Sequence, residues 1–170
     1  VADNGEMADP PRWLKQSQEK LVRIQQKLSR MEPGSRNYEE TVQKYRLLHE
    51  HIANQRRDFL HKESSRIAND WDAVCMRDDA LREMSQSPLR SGANGAGCRA
   101  FREMLRYKLE RQGKQLILLD RYTPTARTCS ACGQVQDGVD YGSRRWICPR
   151  CGTTHDREVN DAKNIKAQGL

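Results

Sequence analysis

The sequence lacks any apolar run that approaches the roughly 18 residues needed to cross a membrane, and no signal-like stretch begins at Val1. Apolar residues make up only 36% of the chain, against 31% charged residues, so that any core is modest. The absence of a leader and of a span predicts a cytoplasmic protein without a membrane partner. Thiols stay reduced in that compartment, so paired cysteines indicate a metal more often than a disulfide.

An initiator methionine is also absent from the printed chain. The segment from Val1 to Gly5 resembles the end of a strand that runs into an Asn-Gly turn, without the residues that would form the strand. We therefore expect the chain to be cut from something longer. Its 170 residues have room for one domain, or for one small domain with an appendage.

Acidic residues are too few to balance the basic ones. The chain has 30 Lys and Arg against 23 Asp and Glu, which gives a net charge of +7. A basic surface of this kind favours polyanionic partners such as nucleic acids. The alternative is a soluble basic surface without such a partner.

Two amphipathic patterns precede residue 70. Apolar residues from Leu14 to Met31 recur at helical spacing, Pro33-Gly34 interrupts the pattern, and a second pattern runs from Tyr38 to Phe59. They predict a long helical hairpin over 12–69. Arg56, Arg57 and Lys62 on its second helix are candidates for phosphate contacts, although a charged helix face is often only solvated.

The next segments predict an α/β unit. Ala73–Met76 suits a buried strand, residues 85–97 read as a mobile loop, Phe101 to Gly113 suits a helix, and Gln115–Asp120 is a second strand. The order strand, helix, strand favours an α/β unit with a buried sheet.

Four cysteines have the spacing of a metal site. Cys129 and Cys132 form one knuckle, Cys148 and Cys151 form the other, and each pair is followed by glycine. Four thiolates suit a structural zinc ion with no open coordination position, although an iron site can use similar spacing. A hairpin with Trp146-Ile147 as its returning strand would bring the knuckles together.

The other cysteines and the nearby basic residues have separate interpretations. Cys75 and Cys98 stand alone and are expected to be buried small apolar residues. Arg127, beside the first knuckle, would offset the charge of the thiolates or contact a nucleic-acid backbone.

Three motifs resemble one family. They are IANQRRDFLHK at 52–62, DRYTPTARTCSACG at 120–133 and HDREVNDAKNI at 155–165. The chain resembles the C-terminal half of the transposon-encoded TnpB (OrfB) proteins, which are related to type V CRISPR effectors. The resemblance implies RNA-guided DNA endonucleases with guide RNA and target DNA as partners. It also implies a RuvC-like active site on an RNase H fold, in which Asp, Glu and Asp hold two Mg²⁺ ions.

The chain departs from that catalytic pattern. Arg77 stands where the family has its middle Glu, Glu158 replaces the last Asp, and Asp161 replaces an Ala. Asp156 is a nearby substitute ligand, and the first Asp would lie before Val1. A guanidinium cannot bind Mg²⁺, so Arg77 is expected to pair with Glu158 or Asp156, and Mg²⁺ is expected only in an active protein. The resemblance also makes Arg157 a candidate nucleic-acid contact.

These features predict an incomplete RNase H-like α/β domain with a helical hairpin and an inserted zinc ribbon. Its regions are a RuvC-like part at 1–121, the ribbon at 122–153 and a last RuvC-like helix at 154–170. The favoured hypothesis is RNA-guided DNA binding with lost or impaired cleavage. One alternative is an active endonuclease whose other catalytic residues lie outside the chain. Another is an interaction module without nucleic acid, whose hairpin pairs with a partner chain or a second copy.

Overall fold

A computed structural model describes residues 1–8, 12–78, 93–136 and 144–170. The chain divides into two compact units, one formed by residues 9–63 and the other by residues 1–8 together with 64–170. Among the described helices, none is both long and apolar enough to cross a membrane.

The unit formed by residues 9–63 consists of two helices. Helix α1 spans Arg12–Leu28, and helix α2 spans Arg36–Asp70, the end of which belongs to the other unit. Gly34 lies between them with a φ of +83°, a conformation that glycine adopts without strain. Nε2 of Gln25 donates to the hydroxyl of Tyr45 at 2.7 Å and joins the helices. The two helices predicted from the apolar periodicity are therefore confirmed.

The larger unit contains a two-stranded parallel sheet. Strand β1 spans Ala73–Arg77 and strand β2 spans Gln115–Leu119, with Ala73 opposite Gln115 and Arg77 opposite Leu119. Helix α3, at Ala93–Arg111, connects them. The predicted order of strand, helix and strand is confirmed. The sheet was expected to be buried, but all of β1 and most of β2 are only partly buried. The predicted loop over 85–97 is wrong at its end because 93–97 are helical, while 85–92 lie outside the described residues.

The core of this unit is small. Ala68 on α2 and Leu105 and Leu109 on α3 have no exposed surface, and they pack against Val74 and Leu116 of the sheet. The expectation for the isolated cysteines is wrong for Cys98, which is exposed, and Cys75 is only half-buried. The small core agrees with the low apolar content of the sequence.

A second sheet and a final helix complete the larger unit. Strand β3, at Arg145–Ile147, pairs antiparallel with strand β4 at Thr154–Asp156, and helix α4 follows at Arg157–Gly169. The prediction of a strand at Trp146-Ile147 is confirmed. The expected partner of this strand lay before it, in a hairpin between the two knuckles. Among the described residues its partner is β4, which follows the second knuckle. The tight hydrogen-bonded turn at that knuckle favours pairing between the strands on either side of it.

Residues 1–8 lie along α4. They form a turn in which the N–H of Gly5 donates to the carbonyl of Ala2 at 3.0 Å, and Gly5 has a φ of +85°. Nζ of Lys166 on α4 lies 2.8 Å from Oδ2 of Asp3. The Asn-Gly turn predicted at 4–5 is confirmed.

Candidate functional site

Two backbone turns of the same kind present the four cysteines. The N–H of Gly133 donates to the carbonyl of Cys129 at 2.9 Å, and the N–H of Gly152 donates to that of Cys148 at 2.8 Å. The two glycines have φ values of +75° and +71°, which side chains with a Cβ rarely adopt. The glycine after each knuckle therefore lets the chain turn back and point both sulfurs inward.

The four sulfurs form a compact cluster. The Sγ atoms of Cys129, Cys132, Cys148 and Cys151 all lie within 4.8 Å of one another. The 129–151 and 132–148 pairs are each 3.7 Å apart. A tetrahedral site with metal–sulfur bonds of ~2.3 Å has sulfur–sulfur edges of about 3.8 Å, whereas a disulfide is ~2.05 Å. The cluster therefore has the dimensions of a four-thiolate metal site.

Hydrogen bonds favour the thiolate form of one of these sulfurs, which is the form that binds a cation. The hydroxyl of Thr153, 3.2 Å from Sγ of Cys151, and the backbone N–H of Thr153 lower the pKa of Cys151 to about 6. The backbone N–H of Gln134 likewise acts to lower the pKa of Cys132. Burial and the neighbouring sulfurs outweigh this hydrogen bond and raise the pKa of Cys132 to about 12. The first thiolate thus opposes ionisation of the second, and a bound cation would remove that opposition.

His155 is a further side chain at the cluster. It is 7% exposed, and its Nε2 lies 3.1 Å from Sγ of Cys129. Its ring packs on Trp146, the opposite residue on β3, with ring centroids 4.6 Å apart. Burial lowers the pKa of His155, which favours the neutral imidazole. Sequence reasoning missed this contact, since spacing alone does not relate residues 26 positions apart.

Two buried asparagines of α4 hold the first knuckle. Asn160 accepts from the N–H of Ser130 at 2.9 Å and donates to the carbonyl of Thr128 at 2.8 Å. Asn164 donates to the carbonyls of Thr125 and Thr128 at 2.8 and 2.6 Å. Both asparagines occur in the 155–165 motif, but the sequence alone does not indicate what they bind.

A basic cleft of about 440 Å³ lies between the end of β1, the segment after β2 and α4. Its charged lining consists of four arginines and two carboxylates: Arg77, Arg121, Arg127, Arg157, Glu158 and Asp161. The positive groups exceed the negative ones by two, so the cleft attracts anions. The candidate residues Arg77, Arg127, Arg157 and Glu158 thus come together here.

Arg77 pairs with a carboxylate inside this cleft. Its Nη1 lies 3.5 Å from Oδ2 of Asp161 and 3.3 Å from the hydroxyl of Thr125, and both side chains of the ion pair are largely buried. The expected partners were Glu158 and Asp156, so the observed pair corrects the identity of the carboxylate. Asp161 lies one turn along α4 from Glu158, which places it nearer to the end of β1.

Asp156 has a structural role at the start of α4. Its side chain accepts from the N–H groups of Glu158 and Val159, and Nε of Arg144 lies 2.9 Å from its Oδ2. The hydrogen bond from Arg144 and those from the two backbone N–H groups lower the pKa of Asp156. Glu158 is half exposed, and Nη2 of Arg157 donates to it at 3.1 Å.

The remaining candidates for nucleic-acid contact lie in the 9–63 unit. Arg56, Arg57 and Lys62 are on α2, and Lys62 pairs with Asp58 at 2.7 Å. Sequence reasoning missed Arg121 and Tyr122 in the cleft, although the 120–133 motif contains both. Tyr122 is 76% exposed, and the guanidinium of Arg121 lies 4.5 Å from its ring centroid.

The elements and their order place the chain among α/β proteins with a Cas12f-like fold. The family model for the Cas12f1-like TNB domain matches residues 99–165. The structure resembles one in a cryo-EM study of a CRISPR-Cas12f ternary complex, with a TM-score of 0.66 and 18% identity over 89% of this chain and 32% of that chain. A chain in the Cas12f1–sgRNA–target DNA complex gives 0.67 and 18%, covering 94% and 43%.

Among proteins of this fold the chain belongs to the TnpB (OrfB) family of transposon-associated proteins. The OrfB family model, described as a probable transposase, matches residues 1–87, about half of the 170 residues. This confirms the resemblance inferred from the three sequence motifs.

Curated relatives agree with this assignment. A protein of Streptomyces pristinaespiralis named "Putative RNA-guided DNA endonuclease" is 34% identical over 98% of this chain and 41% of its own length. The Escherichia coli protein InsQ, with the same description, is 31% identical over 98% and 45%. A TnpB-like protein of Acanthamoeba polyphaga mimivirus is 27% identical over 74% and 25%. The chain thus spans less than half the length of these relatives.

Proposed function

We propose that the protein binds DNA under the direction of a guide RNA and that its ability to cleave DNA is lost or impaired. The observation that carries the proposal is the Arg77–Asp161 ion pair in the basic cleft. The names of the relatives and of the Cas12f complex support the choice of guide RNA and target DNA as partners. The guide would read sequence by base pairing, while the protein contacts the backbone.

The architecture supports an incomplete RNase H-like (RuvC) domain as the setting of this cleft. Parallel strands β1 and β2, the connecting helix α3 and helix α4 surround the position that the resemblance assigns to the nuclease site. In a parallel sheet, residues at the carboxyl ends of strands line a common edge, and Arg77 ends β1 there. The division into a RuvC-like part at 1–121, a ribbon at 122–153 and a last helix at 154–170 remains part of the proposal.

A pair of Mg²⁺ ions does not fit the described cleft. Mg²⁺ prefers several oxygen ligands in octahedral geometry, and the charged lining offers two carboxylates against four guanidinium groups. Oδ1 of Asp161 is buried without a hydrogen-bond partner, but the Arg77 guanidinium lies beside the same carboxylate. One free oxygen next to a fixed positive charge is a poor cation site.

The same lining suits a phosphodiester backbone. A guanidinium presents planar N–H groups that match phosphate oxygens, and the surplus of positive charge remains when Arg77 pairs with Asp161. Arg127 and Arg157 are therefore proposed as phosphate contacts in the cleft. Arg56, Arg57 and Lys62 are proposed as contacts on α2, where their side chains are wholly or partly exposed.

We assign zinc to the four-cysteine cluster as a structural ion. The sulfur–sulfur distances of 3.7 Å fit tetrahedral coordination, and four thiolates leave no position for water or substrate. Iron uses the same donors, and metal analysis of the purified protein distinguishes the two. A zinc content near one per chain supports the assignment, whereas iron or no metal overturns it.

The test of function begins with the RNA that co-purifies with the protein. That RNA is sequenced, and labelled duplexes with matching and scrambled sequences are offered to the protein–RNA complex in EDTA and in Mg²⁺. We expect the matching duplex to be bound in both buffers and left uncut. Cutting in Mg²⁺ would support the active endonuclease instead. Binding of neither RNA nor DNA would support an interaction module that pairs through the helical hairpin.

Variants then assign the binding to the cleft. The Arg127→Ala/Arg157→Ala protein should lose about two units from the slope of log affinity against log salt, since each phosphate contact accounts for about one. The matched control is Arg99→Ala/Arg111→Ala, which removes the same charge from exposed positions on α3. Equal slopes for the two variants would place the contacts elsewhere.

A further inference from the structure

The four sulfurs of the metal cluster face different kinds of hydrogen-bond donor. The second cysteine of each knuckle, Cys132 or Cys151, receives a backbone N–H from the residue two positions later. The first cysteines, Cys129 and Cys148, are buried, and a side-chain nitrogen faces each of them. Nε2 of His155 lies 3.1 Å from Cys129, and Nε2 of Gln136 lies 4.0 Å from Cys148.

The imidazole at Cys129 is held in place by its surroundings. His155 is on β4, opposite Trp146 on β3, and the two rings pack with centroids 4.6 Å apart and planes inclined by 35°. The side chain is 7% exposed, so few other orientations are open to it. The next residue, Asp156, is the N-cap of α4.

The chemistry of the sulfur decides the direction of this hydrogen bond. A cysteine that binds a metal has lost its proton, so its sulfur can only accept. Nε2 of His155 must therefore carry the proton that lies between the two atoms. The four cysteine sulfurs all lie within 4.8 Å of one another, and the ring nitrogens of His155 are not part of that group. Its place is beside a ligand and not among the ligands.

We propose that His155 is a positioning residue of the metal centre, whose Nε2–H donates to the metal-bound sulfur of Cys129. This inference rests on the proposed metal site and assigns it a residue outside the four cysteines. The bond removes electron density from a thiolate in a cluster with excess negative charge, and it fixes the orientation of that ligand. Because His155 adjoins the cap of α4, it also links the metal to the helix that carries Asp161.

The first measurement uses the unaltered zinc-loaded protein. The ¹⁵N shifts and couplings of the His155 ring show which nitrogen bears the proton. We expect a proton on Nε2, and an unprotonated Nε2 would overturn the proposal. A protein that binds no zinc at all would instead refute the proposed metal site, so that the two failures are distinguishable.

Two variants separate the hydrogen bond from packing. His155→Phe keeps an aromatic ring against Trp146 but removes the donor, while His155→Gln keeps a side-chain N–H. We expect zinc affinity, measured by competition with a chelator, to fall about 10- to 100-fold in His155→Phe and to be largely restored in His155→Gln. Trp146→Phe keeps both an aromatic ring against His155 and the imidazole donor, so it is the packing control and should lose far less zinc affinity than His155→Phe.

Cobalt substitution supplies a readout that packing does not change. Loss of a hydrogen bond raises the energy of the sulfur lone pair, so the sulfur-to-Co²⁺ charge-transfer band of His155→Phe should move to lower energy. The band of Trp146→Phe should stay in place. An unshifted band in a cobalt-loaded His155→Phe protein, or an equal loss of affinity in both His155 variants, would overturn the proposal.

Discussion

Gly169, at the end of α4, lies against the parallel sheet. A Cβ atom at this position would be 2.5 Å from Sγ of Cys75 and 3.2 Å from Cδ1 of Leu119. We expect Gly169→Ala to lower the free energy of unfolding by roughly 1–2 kcal/mol, because the added methyl overpacks this contact. Chemical denaturation of the metal-loaded protein measures the change.

Gly97 in α3 is the matched control. Among the described residues, a Cβ atom there meets nothing within 4 Å outside its own helix, so Gly97→Ala should stabilise the protein by up to about 1 kcal/mol through helix propensity. A Gly169→Ala protein as stable as the unaltered protein would contradict the assigned packing of α4 on β1.

Asp156 makes the start of α4 sensitive to acid. The hydrogen bond from Arg144 and those from two backbone N–H groups lower its pKa below the ordinary value of 3.8, so the stabilisation is present above that value. It is lost as the pH falls through the lowered pKa of the folded protein. Asp156→Ala should cost about 1 kcal/mol at neutral pH through loss of the cap.

Asp156→Asn separates the cap from the charge. Asparagine caps helices as well as aspartate does, so most of the stability at neutral pH should remain. The difference in unfolding free energy between this variant and the unaltered protein should shrink as the pH is lowered below about 4. A difference that stays constant with pH would show that the Arg144 contact contributes nothing.

At the scale of elements, the metal ribbon and α4 depend on each other. Asn160 and Asn164 bind the backbone of the first knuckle, between Thr125 and Ser130. Because so short a ribbon buries little apolar surface, a bound metal would supply most of its stability. Cys132→Ser should therefore release zinc and expose the amides of the ribbon and of α4 to hydrogen exchange.

Cys98→Ser is the control for that experiment. Cys98 is exposed on α3 and lies outside the four-sulfur cluster, so its replacement should leave zinc content and exchange unchanged. If α4 stays protected in zinc-free Cys132→Ser, the asparagine contacts do not couple the two elements.

Helix α2 offers a separate test of nucleic-acid binding. Replacing Arg56 and Arg57 by Ala should reduce the slope of log affinity against log salt by up to about two units, since fewer counterions would be released from the phosphates. Filter binding of the co-purified RNA over a range of salt concentrations measures the slope. An affinity that does not depend on salt would favour the alternative in which the hairpin pairs with a protein.

For the whole molecule, the decisive substitution is at the ion pair of the cleft. Arg77→Glu combined with Glu158→Asp removes the internal cation and leaves carboxylates facing Asp161. We expect this protein to bind Mn²⁺ in the cleft and the unaltered protein not to bind it there, because negative charge and oxygen ligands replace a guanidinium. Electron paramagnetic resonance of added Mn²⁺ measures the bound fraction.

Arg121→Glu makes the same change of charge within the cleft but leaves the Arg77–Asp161 pair in place. It should bind Mn²⁺ far more weakly than the double variant. Tight Mn²⁺ binding in the cleft of the unaltered protein would show that the Arg77–Asp161 pair does not exclude cations. Guide-dependent cutting abolished by Glu158→Ala would show that cleavage is retained.

Much of the local structure could be predicted from the sequence. The glycines after each knuckle, the break at Pro33-Gly34 and the apolar strand at 115–119 depend on neighbouring residues and on backbone sterics alone. The start of α3 was predicted too late because residues 93–97 have low helix propensity. The contacts made by the following turns of α3 stabilise this first part of the helix. The pairing of β3 with β4 was missed because a strand of three residues is compatible with more than one pairing register.

The sequence by itself thus determined most of the helices and strands, the cluster of four cysteines and the family, since each follows from residue types at short, regular spacing. The tertiary structure decided which carboxylate pairs with Arg77, which imidazole faces Cys129 and what the asparagines of α4 bind. These contacts join residues 26 to 84 positions apart in the chain. Their partners are selected by the packing of α4 on the sheet and the ribbon, and no local pattern records that choice.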